Sequence, residues 1–112
     1  DPDDPANYFP SFNAKPGDAA ILIPVGNKTR ASYTGSADYV YERLGGMSWA
    51  TPYLAGLAAL AFQVDPAIEP KTIVELWKAT ATKTDSGRVV NPVGFIDAVE
   101  KARDARAATA GK

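Results

Sequence analysis

The sequence predicts a fold that mixes strands and helices, on three observations. Ala19-Ala20-Ile21-Leu22-Ile23-Pro24-Val25 is a short, continuous apolar run closed by Gly26-Asn27, the mark of a buried strand rather than a half-exposed one. From Ser48 to Val64 almost no polar face is left, with Leu54, Leu57, Leu60, Ala61 and Phe62 spread around the helix. Such a segment is expected inside a larger body, covered on all sides. Two further stretches carry apolar residues at helical spacing on one face only.

The elements follow in order. Residues 1–18 hold four of the nine prolines and no apolar period, and read as an irregular, Pro-rich surface segment. Its acidic cluster Asp1, Asp3 and Asp4 has the oxygen chemistry of a calcium site, but the prolines prevent a compact ligand loop, so a solvated loop is expected. After the apolar strand, Asn27-Lys28-Thr29 is turn-like. Arg30 to Thr34 and Tyr39 to Arg43 read as short strands around the Gly35-Ser36 turn. The apolar helix ends at Asp65-Pro66, and Gly56 within it, costly in a helix interior, predicts another backbone packed close by.

A second helix is expected from Glu69-Pro70 to Ala81, with proline at its first position and Ile73, Leu76, Trp77 and Thr80 on its inner face. Asp85-Ser86-Gly87 is a turn and Val89-Val90 a short extended piece. Asn91-Pro92 starts a third helix by cap and first-turn proline, with Val93, Ile96, Val99 and Ala102 inward. The organisation is therefore 1–18 irregular, 19–104 one folded unit and 105–112 a frayed, Ala- and Arg-rich tail. A helix apolar all round, with few elements to surround it, implies that cover comes from elsewhere.

Composition limits the function. The 112 residues suffice for one modest domain, and 46% apolar with 22% charged residues is an ordinary globular balance. A net charge of −1, with no aromatic residues interleaved in a basic cluster, argues against nucleic-acid binding. No cysteine is present, which removes disulfides, thiolate chemistry and cysteine-held metals. The longest apolar run, residues 53–64 broken by Gly56 and Gln63, is shorter than the roughly 20 residues a bilayer requires. No membrane span is expected, and no secretory signal within these residues. There is no histidine.

The chemistry is concentrated at Gly45-Gly46-Met47-Ser48, where a strand-like segment enters the apolar helix. Two glycines allow a sharp turn and a close approach to a bound chain. A serine at a helix N-terminus stands among unpaired N–H groups with the positive end of the helix dipole behind them, a setting that stabilises a tetrahedral oxyanion. Pro52 costs no helical bond if the helix starts near Ser48. By itself the pattern is more often an N-cap than a nucleophile.

The longer run resolves this. Gly46-Met47-Ser48-Trp49-Ala50-Thr51-Pro52-Tyr53-Leu54-Ala55-Gly56 resembles the serine motif of the subtilisin-like serine peptidases, the subtilase family, whose pattern is G-T-S-M-A-T-P-H-V-A-G. It matches at Gly46, Ser48, Ala50, Thr51, Pro52, Ala55 and Gly56, with Leu54 a conservative change. The resemblance extends to the preceding apolar strand, to the helix of Pro70 to Ala81, and to Gly87-Arg88-Val89-Val90-Asn91-Pro92 leading into the last helix. It implies the C-terminal portion of a three-layer α/β fold, with a mainly parallel sheet and a central buried helix starting near Ser48.

The reaction implied is endopeptidase hydrolysis through an acyl-enzyme on Ser48, with a peptide or protein as substrate. In this family the Asp, the His and the oxyanion-hole Asn precede the serine, so the remainder of the catalytic domain is an implied partner. Without histidine these residues alone are expected to be inactive. Calcium is common in the family, but no ligand set can be picked out and no other cofactor is evident. The compartment stays open, an extracellular one being favoured by resemblance only.

Three positions depart from the pattern. Met47 replaces a threonine whose hydroxyl supports the oxyanion hole. Trp49 replaces the methionine beside the nucleophile, lining the leaving-group side of the cleft with an aromatic ring. Tyr53 replaces a histidine outside the catalytic triad. The competing reading is a catalytically inactive subtilase-like domain used for binding or regulation. A sedolisin-like Ser-Glu-Asp peptidase fits the Ala50-Thr51-Pro52 run less well. A Ser–Lys dyad would need a desolvated lysine, whereas Lys71, Lys78 and Lys83 read as solvated.

Overall fold

A computed structural model describes residues 8–10, 21–43, 45–85 and 87–111. The fold is organised around one strand, β2 (Ile21–Pro24). Ile21, Ile23 and the following Val25 are buried, at 4%, 0% and 1% exposure, while Leu22 and Pro24 between them are half-buried. Alternation of this kind follows from side chains pointing to opposite faces of a strand. One face of β2 is thus fully covered and the other only in part, short of the burial on both faces that the apolar run predicts.

Strands β1 (Tyr8–Pro10), β5 (Thr82–Thr84) and β6 (Gly87–Val89) complete a sheet ordered β1-β2-β6-β5. Only β2 and β6 pair in parallel, Ile21 opposite Arg88 and Leu22 opposite Val89; β1 with β2 and β5 with β6 run antiparallel. The described sheet is therefore mixed, where the resemblance implied a mainly parallel one. Its β5–β6 pair is a hairpin closed by a short turn at Asp85, a connection that only antiparallel strands permit. Strand β1 also corrects the reading of residues 1–18 as wholly irregular: residues 8–10 pair with β2, Phe9 opposite Ile23. Asp1, Asp3 and Asp4 lie outside the described residues.

Beyond β2, Asn27 adopts a left-handed conformation (φ 52°), which its short polar side chain tolerates better than most. This turn feeds the hairpin of β3 (Lys28–Ala31) and β4 (Tyr39–Glu42), antiparallel with Arg30 opposite Val40. The Asn27 N–H donates to Arg43 O at 3.2 Å and the Tyr41 hydroxyl to Asn27 Oδ1 at 2.9 Å, closing the base of the hairpin. Strand β3 begins at Lys28, inside the stretch read as a turn.

Helix α1 (Met47–Val64) buries a single stripe, Ala50, Leu57 and Ala61, flanked by half-buried Tyr53, Leu54, Ala58 and Val64. These recur every three or four residues and form one helical face. Outside that stripe, Leu60 to one side and Phe62 to the other are 47% and 41% exposed. The described residues thus cover only one face of the helix expected to be buried all round. Gly56 is exposed and a Cβ there would meet nothing within 4 Å, so the close backbone neighbour that its presence predicts is not supplied by the described residues.

Helices α2 (Pro70–Thr80) and α3 (Pro92–Ala110) start where their prolines predict. Asn91 caps α3, its Oδ1 accepting from the Gly94 N–H at 2.9 Å. Phe95 and Val99 of α3 join Ile21, Leu57, Ala61, Ile68, Ile73 and Val90 in the main core, and Phe95 meets Trp77 of α2 at 5.9 Å between ring centroids. Val93, expected on the inner face, is 73% exposed, whereas Phe95 is fully buried. Two helical residues span about 200°, so the face that takes Phe95 turns Val93 outward. Helix α3 continues through residues 105–110, assigned by sequence to a frayed tail.

Candidate active site at the start of α1

Gly45 and Gly46 lead from the hairpin into α1, and their path is set by β2. A Cβ at Gly45 would fall on the Val25 carbonyl and its Cγ2, so only glycine fits where the backbones pass. One turn into the helix, Ala50 packs with Ile23 and Val25 in a second small core that includes Tyr53 and Leu54 at its edge. The end of β2 therefore holds both sides of the Gly46-Met47-Ser48-Trp49 turn.

Gly46 is the N-cap, with extended backbone and no side-chain cap. The first helical bonds run from the Trp49 and Ala50 N–H groups to Gly46 O, at 3.0 and 3.1 Å. Ser48 stands one residue inside the helix, exposed, and does not cap it. The commonest structural role for a serine at a helix start is thus not the one it performs. First-turn N–H groups have no partner within a helix, so those of Met47 and Ser48 concentrate positive potential beside the hydroxyl.

Because the helix begins at Met47, Pro52 lies in its second turn and does interrupt the ladder. The N–H it lacks would have bonded to Ser48 O. The Thr51 hydroxyl donates to Met47 O at 3.0 Å, one carbonyl before the one that Pro52 leaves without its helical donor. Trp49, beside the serine, is partly exposed, and the guanidinium of Arg30 on β3 lies over its ring at 3.7 Å.

Against this geometry, the family model of the subtilases, peptidase family S8, matches residues 10–95, most of the chain. The chain belongs to the subtilase family. That family is one of serine peptidases, and the matched region runs from the last residue of β1 through the rest of the sheet, α1 and α2 to the start of α3. No curated protein and no solved structure matches the chain.

Other chemistry of this subtilase chain is limited. Lys71 faces solvent and pairs with Glu75 at 3.8 Å, and Lys78 and Lys83 are exposed, so none is a desolvated base. Among the described residues no three acidic side chains converge on one point. No helix among them is long and apolar enough to cross a membrane. Two neighbours of the site were not singled out by sequence: Val25 as the surface that dictates Gly45, and Arg30 as the partner of Trp49. Both are contacts across the chain, and no local pattern announces them.

Proposed function

We propose that this chain is the serine-bearing, C-terminal portion of a subtilisin-like endopeptidase domain, and that Ser48 is its nucleophile. The observation that carries the reading is an exposed serine, released from capping duty, at a helix N-terminus within the matched family region. In the reaction, Ser48 Oγ attacks the carbonyl carbon of the scissile peptide and its proton passes to an imidazole base. The tetrahedral oxyanion is stabilised by N–H donors at the start of α1. The C–N bond then breaks, the amine leaves with the proton, and water hydrolyses the serine ester by the same route.

With no histidine among its 112 residues, the chain requires the remainder of the domain for the base, its Asp partner and the oxyanion Asn. That remainder also supplies cover for the outer face of α1, making it the central helix of a three-layer fold. Met47, in place of the family's threonine, gives no hydroxyl to the oxyanion hole.

The test is labelling of the full-length protein with a fluorophosphonate probe, mapped by mass spectrometry. Modification at Ser48, abolished in Ser48→Ala along with peptide hydrolysis, is the expected result, and the 112-residue chain alone is expected to stay unlabelled. If the folded full-length protein is not labelled, the peptidase reading gives way to a binding or regulatory subtilase-like domain.

A further inference from the structure

The geometry points to Arg30 as a positioning residue for the nucleophile, acting through Trp49; this rests on the peptidase reading of Ser48. Arg30 lies on β3, a strand outside the sheet that β2 organises. Its guanidinium nevertheless bridges the two structures that flank the serine. One Nη donates to Val25 O, the carbonyl against which Gly45 packs, and the guanidinium plane covers the Trp49 ring at 3.7 Å. Cation–π contact with indole is the strongest of its kind, and Arg supplies both a planar face and a fork of donors.

The arrangement has a cost that identifies it as more than a surface contact. Arg30 Nε is buried without a hydrogen-bond partner, and Arg30 forms no ion pair among the described residues. An unpaired guanidinium N–H withdrawn from water is unfavourable, so the Val25 bond and the indole stack must offset it. Their joint effect falls on one place. Trp49 is fixed from the hairpin side by Arg30, and Ala50 is fixed from the sheet side by Ile23 and Val25. Ser48, which itself is exposed, thereby inherits a backbone held by its next two residues. A hydroxyl that must attack a carbonyl along a narrow approach depends on that placement.

The experiment compares Arg30→Met, Arg30→Lys and Trp49→Leu in the full-length protein, with folded fraction and Tm measured for each. The readouts are the fluorophosphonate labelling rate at Ser48 per folded molecule and kcat and KM on a peptide substrate. Arg30→Met is expected to slow labelling and lower kcat about tenfold, with KM within about twofold, as displacement of a reacting group does. Arg30→Lys, which keeps the cation but not the planar stack, is expected to recover part of the rate. Combining Arg30→Met with Trp49→Leu should cost no more than the larger single loss, because both remove one contact.

A purely structural role would lower Tm or the folded fraction and leave the rate per folded molecule unchanged. A wild-type rate in folded Arg30→Met overturns the proposal while the peptidase reading stands. If Arg30→Met does not fold, Arg30→Lys decides: slowed labelling per folded molecule supports the proposal and a wild-type rate overturns it. An unlabelled wild-type protein overturns both.

Discussion

At Gly45 the chain passes the end of β2 with no room for a methyl group, and the atoms in the way are the Val25 carbonyl and the short, branched Val25 side chain rather than the tip of a flexible one. Gly45→Ala must therefore push the loop away from Val25 or push Val25 out of the Ile23–Ala50 cluster. Overpacking of this kind costs about 1–3 kcal/mol. The expected outcome is a lowered urea midpoint with an unchanged slope, and slower probe labelling of the full-length protein because the turn before Ser48 shifts. A Gly45→Ala variant as stable as wild type would show that the loop has freedom the Val25 contact denies. Gly46, one residue on, has open space where a methyl group would stand and is not constrained in this way. The two adjacent glycines of the motif thus differ in role: Gly45 is fixed by packing.

The elements are tied together at the other end of α1 by a buried carboxylate. Asp65 is 2% exposed; its Oδ1 accepts from the Ala67 N–H at 3.1 Å and from Arg106 of α3 at 2.5 Å, while Arg103 Nη1 donates to Val64 O at 3.2 Å. The Arg106 hydrogen bond holds the Asp65 carboxyl below its ordinary range, aided by the Ala67 N–H and opposed by burial. A carboxyl whose folded pKa is depressed contributes stability above its unfolded pKa and loses it as pH falls through the folded one. The α1–α3 junction should therefore weaken below about pH 4, the ordinary aspartate range. In urea titrations at a series of pH values, wild type should exceed Asp65→Asn at neutral pH, and the gap should close under acid. A gap independent of pH would mean that the ion pair does not join the helices.

That junction also marks the boundary of what sequence reveals at this scale. The starts of α2 and α3 were legible because their signals are local: a proline that is harmless only in the first turn, and an asparagine that caps. Arg106, by contrast, lies in a stretch that reads as a fraying tail, since nothing local shows that a buried Asp65 waits for it. Strand β1 was hidden for the same reason: Phe9 pairs with Ile23 across the chain, and a short proline-bearing segment has no period to detect. On α3, Val93 and Phe95 both suit an apolar face, and the core that Ile21, Leu57, Ile73 and Val90 build across the chain decides between them. The serine motif was legible because it is contiguous, whereas its support from Val25 and Arg30 is assembled by the fold.

For the molecule as a whole, the apolar surface left uncovered is the main physical fact. The radius of gyration is 16.2 Å, where a compact domain of this length has about 13 Å. Helix α1 turns Leu60, Phe62 and the open side of Gly56 outward, and β2 is half-covered on its second face. If the remainder of a subtilase domain packs there, the same substitutions should have opposite weight in the two contexts. Leu60→Gln and Phe62→Gln should change the stability of the 112-residue chain by less than about 0.5 kcal/mol each, as exposed substitutions do. In the full-length protein each should cost about 2–5 kcal/mol, the loss of a buried side chain together with a polar group placed in a core. Urea denaturation of both forms measures the difference directly. Equally small effects in both would mean that the outer face of α1 stays in water, and that this helix is not the centre of a larger domain.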